Sequence, residues 1–330
     1  MSMRIGINGA GRIGRILMRA LHDDPDVRVA AVNDVAPVAT VAHLLRYDSV
    51  HGPWSVPVTA ETDAIRVGDD QVTYWSYEHP SAIPWDNAGV DVVIEATGRF
   101  THLEDAEQHR ASRVVISAVG RGGAPTLVYG VHPAGAFAEQ RVIAAGSCTT
   151  HAAALPLMLL HRWYGVQGAD VMTVHCTTGS QVTMDQPHRD LRRGRAAGVS
   201  IIPTTTSANR GLCAALPELA DRLNCYAVRV PTASVSLVQI TAHLERTLPE
   251  PEGLVEHLDD VSQNEQKGRL AVSYAPLVSV DFRGNTHSAV VDAALVECPS
   301  AHLVRLVAWY DNEWGYVSRL VDLLRTWQVQ

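Results

Sequence analysis

A short apolar strand near the start of the chain runs into a glycine-rich turn and then a helix, and this arrangement limits the possible folds more than any other feature. Residues 4–8 form the strand, and residues 9–14 have the spacing Gly-x-Gly-x-x-Gly. Apolar residues at helical spacing follow, namely Ile13, Leu17, Met18 and Leu21. Such a unit opens a doubly wound parallel sheet, in which the glycines allow a tight turn and close approach to the helix start. It predicts an α/β domain of the Rossmann type.

An acidic residue after the second strand predicts the ligand of this domain. Residues 27–32 form that strand, and Asp34 follows it about 20 residues after the last glycine, where an acid binds the ribose of a dinucleotide. A carboxylate repels a 2′-phosphate, so the cofactor is expected to be NAD rather than NADP. Two further apolar strands, 92–94 and 114–116, end beside polar residues. The predicted cofactor-binding residues in this half are Gly9, Gly11, Arg12, Ile13, Gly14, Asp34, Thr97, Gly98 and Ser117.

The second half of the chain has a different pattern. Residues 234–245 alternate between apolar and polar side chains over a long stretch. A period of two indicates a half-buried strand of an antiparallel sheet. We therefore expect a second, α+β domain with a mostly antiparallel sheet.

Cys148 is the candidate nucleophile. It lies between an apolar strand, 141–145, and a helix-like stretch, 151–160. Unpaired N–H groups and the positive dipole end at a helix start favour a thiolate, whereas a cysteine taken at random is more often buried and inert. His175 ends another predicted strand, and a histidine there is as often structural as it is a base.

Composition excludes several other classes of protein. The formal charge of −8 gives no support for a nucleic-acid or anionic-membrane partner. The five cysteines have no Cys-x-x-Cys spacing, which argues against a disulfide framework or a metal site and for a reducing compartment. The longest apolar run, 152–160, is too short to span a bilayer, and the early strand leaves no room for a signal peptide. We expect a cytoplasmic protein.

Six segments in order along the chain resemble signatures of the phosphorylating glyceraldehyde-3-phosphate dehydrogenase family, type I. They are residues 8–15, 47–52, 147–150, 187–193, 229–232 and 309–316. The resemblance covers essentially the whole chain. It implies an NAD-binding domain over 1–147, a catalytic domain over 148–311, and a C-terminal segment, 312–330, whose helix, at about 317–327, returns to the NAD-binding domain.

The resemblance also implies the roles of individual residues. Cys148 would attack an aldehyde to give a thiohemiacetal, and His175 would accept the proton as hydride leaves for NAD. Inorganic phosphate would then cleave the thioester to give 1,3-bisphosphoglycerate. Asn312 would fix the nicotinamide carboxamide, with Tyr316 also at the cofactor. Two phosphate pockets are implied, one with Thr178, Ser180 and Arg229 and the other with Ser147, Thr149 and Thr206.

Residues 181–201 resemble the segment of this family that packs against neighbouring subunits, which implies a homotetramer. The arginines of this segment, Arg192, Arg193 and Arg195, are then interface charges rather than a nucleic-acid patch.

Several residues differ from the family pattern and leave the substrate open. His151 stands where asparagine is usual, Val182 where a basic residue is common, and Ser234 where asparagine is usual. The favoured function is oxidation of glyceraldehyde 3-phosphate, the glycolytic reaction. The alternatives are an erythrose-4-phosphate dehydrogenase, a specialised paralogue that is inhibitor-tolerant or uses arsenate, and a non-catalytic NAD-binding protein.

Overall fold

A computed structural model describes residues 2–133 and 135–328, and the chain divides into two compact units. One unit takes in the chain up to Gly146 and again from Val317, and the other is Ser147–Tyr316. The predicted change of pattern after the first half of the chain therefore coincides with the start of a separately packed body.

The first unit contains eight strands and three helices before residue 147 among its described residues. In order they are β1 (Met3–Asn8), α1 (Arg12–Leu21), β2 (Val27–Asn33), α2 (Val38–Arg46), β3 (Val58–Ala60), β4 (Ala64–Val67), β5 (Asp70–Trp75), β6 (Val92–Glu95), α3 (Leu103–Ala106), β7 (Arg113–Ile116) and β8 (Val142–Ala144). The strands form one sheet in the order β3-β4-β5-β2-β1-β6-β7-β8. The run from β5 to β8 is parallel, which confirms the predicted doubly wound fold.

β1 lies at the point where the strand order reverses. The chain passes through α1 to β2 on one side of β1, while β6 pairs with the other side. In a sheet of this kind, ligands bind beyond the carboxyl ends of the strands at the reversal. Buried side chains on α1, including Leu17 and Met18, anchor this helix to the core and so fix the turn that precedes it.

The second unit is built on a mostly antiparallel sheet. Its elements, followed by the last helix of the chain, are α4 (Cys148–Tyr164), β9 (Val166–His175), β10 (Ile202–Thr204), α5 (Ala208–Ala215), β11 (Leu223–Arg229), β12 (Ser236–Leu244), α6 (Pro251–Gln263), β13 (Leu270–Ser273), β14 (Ala289–Asp292), β15 (Glu297–Ser300), β16 (Leu303–Tyr310) and α7 (Trp314–Gln328). The sheet order is β10-β11-β9-β12-β16-β14-β13, with β15 also on β16. Alternate residues of β12 are buried, which confirms the half-buried strand predicted there.

Two helices are longer than the sequence pattern indicated. α4 begins three residues before the predicted start, because the Ser147 side chain accepts a hydrogen bond from the backbone N–H of Thr150 and caps it. It ends at Gly165, which adopts a positive φ of 70°. α7 likewise begins at Trp314, three residues before the predicted 317.

The part of α7 beyond Val317 makes contacts within the first unit. Arg325 donates to Asp24 Oδ2, and Thr326 donates to the hydroxyl of Tyr129. The guanidinium of Arg113 lies 4.6 Å from the ring centroid of Trp327. None of the helices in the described ranges is both long and apolar enough to cross a membrane.

Candidate active site

A cleft in the first unit lies at the carboxyl ends of β1, β2 and β6. The residues that line it include Gly9, Gly11, Asp34 and Thr97. A Cβ on Gly9 would lie 2.7 Å from the backbone N of Thr97, and Gly9 has a φ of 103°. A Cβ on Gly14 would lie 2.1 Å from the carbonyl oxygen of Gly9. These two glycines are therefore required by the packing of the turn itself.

The predicted ribose-binding acid faces the glycine-rich turn. Asp34 Oδ2 accepts the backbone N–H of Ala10 at 2.7 Å, and Oδ1 accepts that of Ala36 at 2.9 Å. These bonds fix the position of the carboxylate at the end of β2. Another predicted residue, Arg12, forms an ion pair with the carboxylate of Asp48.

A network of buried polar side chains lies at the ends of the same strands, and sequence reasoning missed it. The carboxyl group of Glu95 accepts hydrogen bonds from Asn8 Nδ2 and from the backbone N–H of Thr97. His109 Nδ1 accepts the indole N–H of Trp85 at 3.0 Å, so His109 Nε2 carries the proton that faces Glu95 Oε2 at 3.2 Å. Glu95 and His109 are almost fully buried. Their signal in the sequence is weak, because polar residues far apart in the chain meet only when the strands align.

Four more residues predicted to bind the cofactor are Gly11 and Ile13 at the start of α1, Gly98 after β6, and Ser117 after β7. α1 begins at Arg12 after Gly11, which provides no side-chain cap, and a Cβ on Gly11 or Gly98 would meet nothing within 4 Å. Backbone donors at the start of α1 are thus accessible to an anion. Ile13 lies half-buried in the first turn of α1. The hydroxyl of Ser117 is buried and has no hydrogen-bond partner among the described residues, so it has capacity for a ligand.

In the second unit, Cys148 and His175 lie side by side. Cys148 is the first residue of α4, His175 is the last residue of β9, and the Sγ to Nε2 distance is 3.6 Å. His175 Nδ1 lies 2.9 Å from the carbonyl oxygen of Cys176 and 2.6 Å from Arg229 Nη1. Arg229 also donates to the carbonyl oxygen of Cys176 at 2.9 Å. The two residues that the sequence named as nucleophile and base are therefore in reach of each other.

Burial and the charge of Arg229 shift the pKa values of both groups, in opposite directions for Cys148 and in the same direction for His175. Desolvation raises the pKa of the Cys148 thiol, while the positive charge of Arg229 and hydrogen bonds from Thr149 lower it. Burial and the repulsion from Arg229 together lower the pKa of His175 to about 3. The helix start thus does not by itself make a thiolate. Both shifts favour the uncharged form, a neutral thiol beside a neutral imidazole.

The residues predicted to bind phosphate form local hydrogen bonds. Thr178 and Ser180 share a hydrogen bond of 3.1 Å between their hydroxyls. The Thr149 hydroxyl lies 2.9 Å from that of Tyr310, and Thr206 accepts the backbone N–H of Ala208 at 3.1 Å. Ser147, as described above, caps α4. The structure brings Arg229 to the Cys148 and His175 pair, and it pairs Thr178 with Ser180.

Asn312 and Tyr316 lie in the turn before α7 and in its first residues. Asn312 Oδ1 accepts the backbone N–H of Val235 at 3.1 Å and the thiol of Cys176 at 3.1 Å. The ring of Tyr316 meets the ring of His151 edge to face, with centroids 5.7 Å apart. His151, which stands where the family usually has asparagine, is only 3% exposed and is therefore a buried residue of α4.

Sequence reasoning missed three residues of this site. The hydroxyl of Tyr310 contacts the hydroxyls of Thr149 and Thr173. The thiol of Cys176 and the backbone N–H of Val235 both contact Asn312. Val235 has a positive φ of 65°. A β-branched residue in that backbone region is strained and is found at functional sites. The sequence carries no signal for Val235, whereas a cysteine directly after a candidate base could have drawn attention to Cys176.

A dinucleotide cleft and a cysteine–histidine pair on separate units define a class, the NAD-dependent dehydrogenases that carry a reactive thiol. The first unit and the second match two parts of one family. Residues 3–103 match the description "Glyceraldehyde 3-phosphate dehydrogenase, NAD binding domain", and residues 147–312 match the corresponding C-terminal domain. The chain belongs to the glyceraldehyde-3-phosphate dehydrogenase family.

Similar proteins extend over nearly the whole chain. The glyceraldehyde-3-phosphate dehydrogenase of Geobacillus stearothermophilus is 42% identical over 327 residues, which cover 98% of this chain and 97% of that protein. Glyceraldehyde-3-phosphate dehydrogenase 1 of Streptomyces avermitilis is 42% identical over 330 residues, 98% of each chain. The plasmid-encoded glyceraldehyde-3-phosphate dehydrogenase of Cupriavidus necator is 42% identical over 331 residues, 98% of this chain and 97% of that protein.

Proposed function

We propose that this chain oxidises glyceraldehyde 3-phosphate with NAD and inorganic phosphate, giving 1,3-bisphosphoglycerate. The observation that carries the proposal is the 3.6 Å contact between Cys148 Sγ and His175 Nε2, with Arg229 beside His175. A nucleophile, a base and a cation meet there, as covalent catalysis on a phosphorylated aldehyde requires.

The first step joins Cys148 to the substrate. Its sulfur bonds to the aldehyde carbon, while the thiol proton passes by way of His175 Nε2 to the carbonyl oxygen. The product is a thiohemiacetal. Because the pKa of His175 is lowered to about 3 by burial and by Arg229, the imidazole returns to its neutral form after each transfer.

The second step is the oxidation. His175 takes the proton of the thiohemiacetal hydroxyl, the C=O bond forms again, and hydride leaves the carbon, which becomes a thioester. When bound, NAD supplies the acceptor for that hydride. An oxygen of inorganic phosphate then bonds to the thioester carbon, the C–S bond breaks, and His175 returns the proton to sulfur.

We assign the two anions to separate groups of residues. Arg229 with Thr178 and Ser180 offers a cation and two hydroxyls to the substrate phosphate, and Ser147, Thr149 and Thr206 offer hydroxyls to the attacking phosphate. On the cofactor, we assign Asp34 to the ribose diol, the turn from Gly9 to Gly14 to the pyrophosphate, and Asn312 to the nicotinamide carboxamide. Arg12, Ile13, Thr97, Gly98, Ser117 and Tyr316 complete the proposed cofactor site.

We also propose that the first unit is the NAD-binding domain, the second the catalytic domain, and that the protein is a cytoplasmic homotetramer. Four large apolar side chains of the segment 181–201 are highly exposed in the single chain, namely Met184, Leu191, Val199 and Ile201. Exposed apolar patches mark interaction sites, which supports a subunit interface there. All five cysteines are free thiols, in keeping with a reducing compartment.

NADH formation tests the activity. Purified protein is assayed with NAD and glyceraldehyde 3-phosphate, with and without inorganic phosphate, and beside erythrose 4-phosphate and arsenate. Turnover that requires phosphate and favours the triose supports the proposal. A preference for the tetrose, or turnover that does not need phosphate, would instead assign one of the sister activities. NAD binding without turnover would make the chain a binding protein.

A further inference from the structure

The amide of Asn312 is held in one orientation by two donors. Val235 donates its backbone N–H to Oδ1 at 3.1 Å, and the Cys176 thiol lies 3.1 Å from the same oxygen. An amide carries its acceptor and its donors at opposite ends, so fixing Oδ1 towards these two groups turns Nδ2 away from them. The orientation of Asn312 thus depends on one backbone group and one side chain.

Cys176 is a neutral thiol in this position. Burial raises its pKa to about 12, although a hydrogen bond involving Ser236 opposes the shift. The sulfur therefore keeps its proton and can donate it. The other polar atom near the sulfur, His175 Nδ1, lies farther away at 3.7 Å, and it is 2.9 Å from the carbonyl oxygen of Cys176. In the tautomer whose Nε2 accepts a proton from Cys148, Nδ1 carries the ring proton and donates it to that oxygen, so it is not an acceptor for the thiol. The shorter contact assigns the thiol proton to Asn312.

The backbone of Cys176 is fixed on both sides. Its N–H donates to Ser236 Oγ at 3.1 Å, and its carbonyl oxygen accepts from Arg229 Nη1 at 2.9 Å. The same carbonyl oxygen lies 2.9 Å from His175 Nδ1. One residue thus contacts the proposed base through its backbone and the proposed nicotinamide residue through its side chain, and it has little freedom to move away from either.

We propose that Cys176 is a positioning residue for the nicotinamide: its thiol donates to Asn312 Oδ1 and so presents Asn312 Nδ2 to the carboxamide oxygen of the cofactor. The proposal rests on the assignment of Asn312 to the cofactor in the proposed function. Losing the thiol leaves the backbone N–H of Val235 as the one remaining donor of the two to Asn312 Oδ1. The amide is then held less firmly, which weakens binding of the nicotinamide half and relaxes the choice of ring face.

The matched variants are Cys176→Ala, which removes the donor, and Cys176→Ser, which keeps one. In Cys176→Ala we expect the KM for NAD to rise about 3- to 10-fold, as for one lost hydrogen bond, with a smaller change in the KM for phosphate. Oxidation of aldehyde-deuterated substrate should also leave deuterium on both faces of the NADH ring rather than on one. Cys176→Ser should restore both properties, which simple damage to packing would not allow. An unchanged KM for NAD together with label on a single face in Cys176→Ala overturns the proposal.

A spectroscopic measurement separates this proposal from the proposed activity. The infrared S–H band of Cys176 is isolated as the difference between the unmodified protein and Cys176→Ala, without cofactor or substrate. A hydrogen-bonded thiol absorbs at lower frequency, so the band should move to higher frequency in Asn312→Ala. A band that stays in place shows that the thiol does not donate to Asn312 and overturns the proposal, whatever the enzyme assay shows. Absence of turnover in the unmodified protein with the band shift present would count against the proposed activity alone.

Discussion

α1 and α4 occupy similar places along the chain, but their N-terminal backbone N–H groups meet different partners. Each helix follows a strand of the parallel sheet along the chain, and each start is proposed to act on a negative charge. The residue before α1, Gly11, provides no side-chain cap, whereas the residue before α4, Ser147, accepts the N–H of Thr150 at its hydroxyl at 3.1 Å. The first start is open to a ligand from solution. The second is closed by its own serine and carries the sulfur of Cys148, a neutral thiol that must lose a proton to become an anion.

The difference shows how much the start of a helix contributes to stabilising a negative charge. In the cofactor site proposed at α1, bare backbone donors suffice, because a pyrophosphate brings its full charge with it. At α4 the charge must be made by removing a proton, and burial raises the pKa of Cys148 against that removal. A distant residue, Arg229, supplies the opposing charge. A cysteine at a helix start is therefore reactive only together with the cation and base that the fold brings to it.

The largest effect that tests this comparison comes from Cys148→Ser. Aldehyde oxidation should fall by about a thousandfold or more, because a hydroxyl in this place is a far weaker nucleophile. NAD binding should be retained, since the α1 site is unchanged. Steady-state NADH formation and calorimetric titration with NAD measure the two properties. Cys213→Ser, at another partly exposed cysteine of the second unit, is the control and should keep its activity. Substantial turnover in Cys148→Ser would contradict the nucleophile assignment.

Asp34→Gly tests the proposed cofactor site beside the start of α1. Removing the carboxylate should lower the preference for NAD over NADP by about 10- to 100-fold, because its repulsion of a 2′-phosphate is lost. Initial rates with both cofactors give the ratio of kcat/KM values. Asp70→Gly removes the same charge at the start of β5, the opposite end of the sheet from the cleft, and should leave the ratio unchanged. Equal ratios in all three proteins would mean that Asp34 does not face the ribose.

Neighbouring residues in the sequence indicate more of the proposed cofactor site than of the proposed site around Cys148, for a physical reason. The turn from Gly9 to Gly14 is contiguous, and close packing requires glycine at Gly9 and at Gly14, so the signal lies in neighbouring residues. The site around Cys148 draws on the end of β9, on Arg229 at the end of β11, and on Tyr310 at the end of β16. The pattern of neighbouring residues predicts strands there but not which strand ends meet. The resemblance to a family supplied His175 and Arg229, whereas Cys176, Tyr310 and Val235 emerged only from the folded chain.

A pair of glycine variants separates packing from ligand binding at α1. A Cβ on Gly14 would lie 2.1 Å from the carbonyl oxygen of Gly9, whereas a Cβ on Gly11 meets nothing within 4 Å. Gly14→Ala should lower the thermal midpoint of the cofactor-free protein by about 5 to 10 °C. Gly11→Ala should leave that midpoint within about 1 °C and weaken NAD binding about 10-fold, because the methyl group blocks the pyrophosphate. Unchanged NAD affinity in Gly11→Ala would show that the start of α1 does not bind the cofactor.

The smallest expected effect concerns the cation at the second site. Arg229 lowers the pKa of both Cys148 and His175, so Arg229→Gln should raise both. A higher thiol pKa means less thiolate at a given pH. Alkylation of Cys148 at neutral pH should therefore slow by about 3- to 10-fold, and its pH profile should move to higher pH.

Mass-spectrometric labelling rates of each cysteine across pH measure this change without substrate or cofactor. Arg222→Gln removes the same charge from an exposed arginine of the second unit and serves as the control. If the pH profile of Cys148 alkylation does not change in Arg229→Gln, the start of α4 and its serine cap by themselves account for the reactivity of the thiol. The contrast between the two helix starts would then disappear, since each would act by its backbone without help from a distant charge.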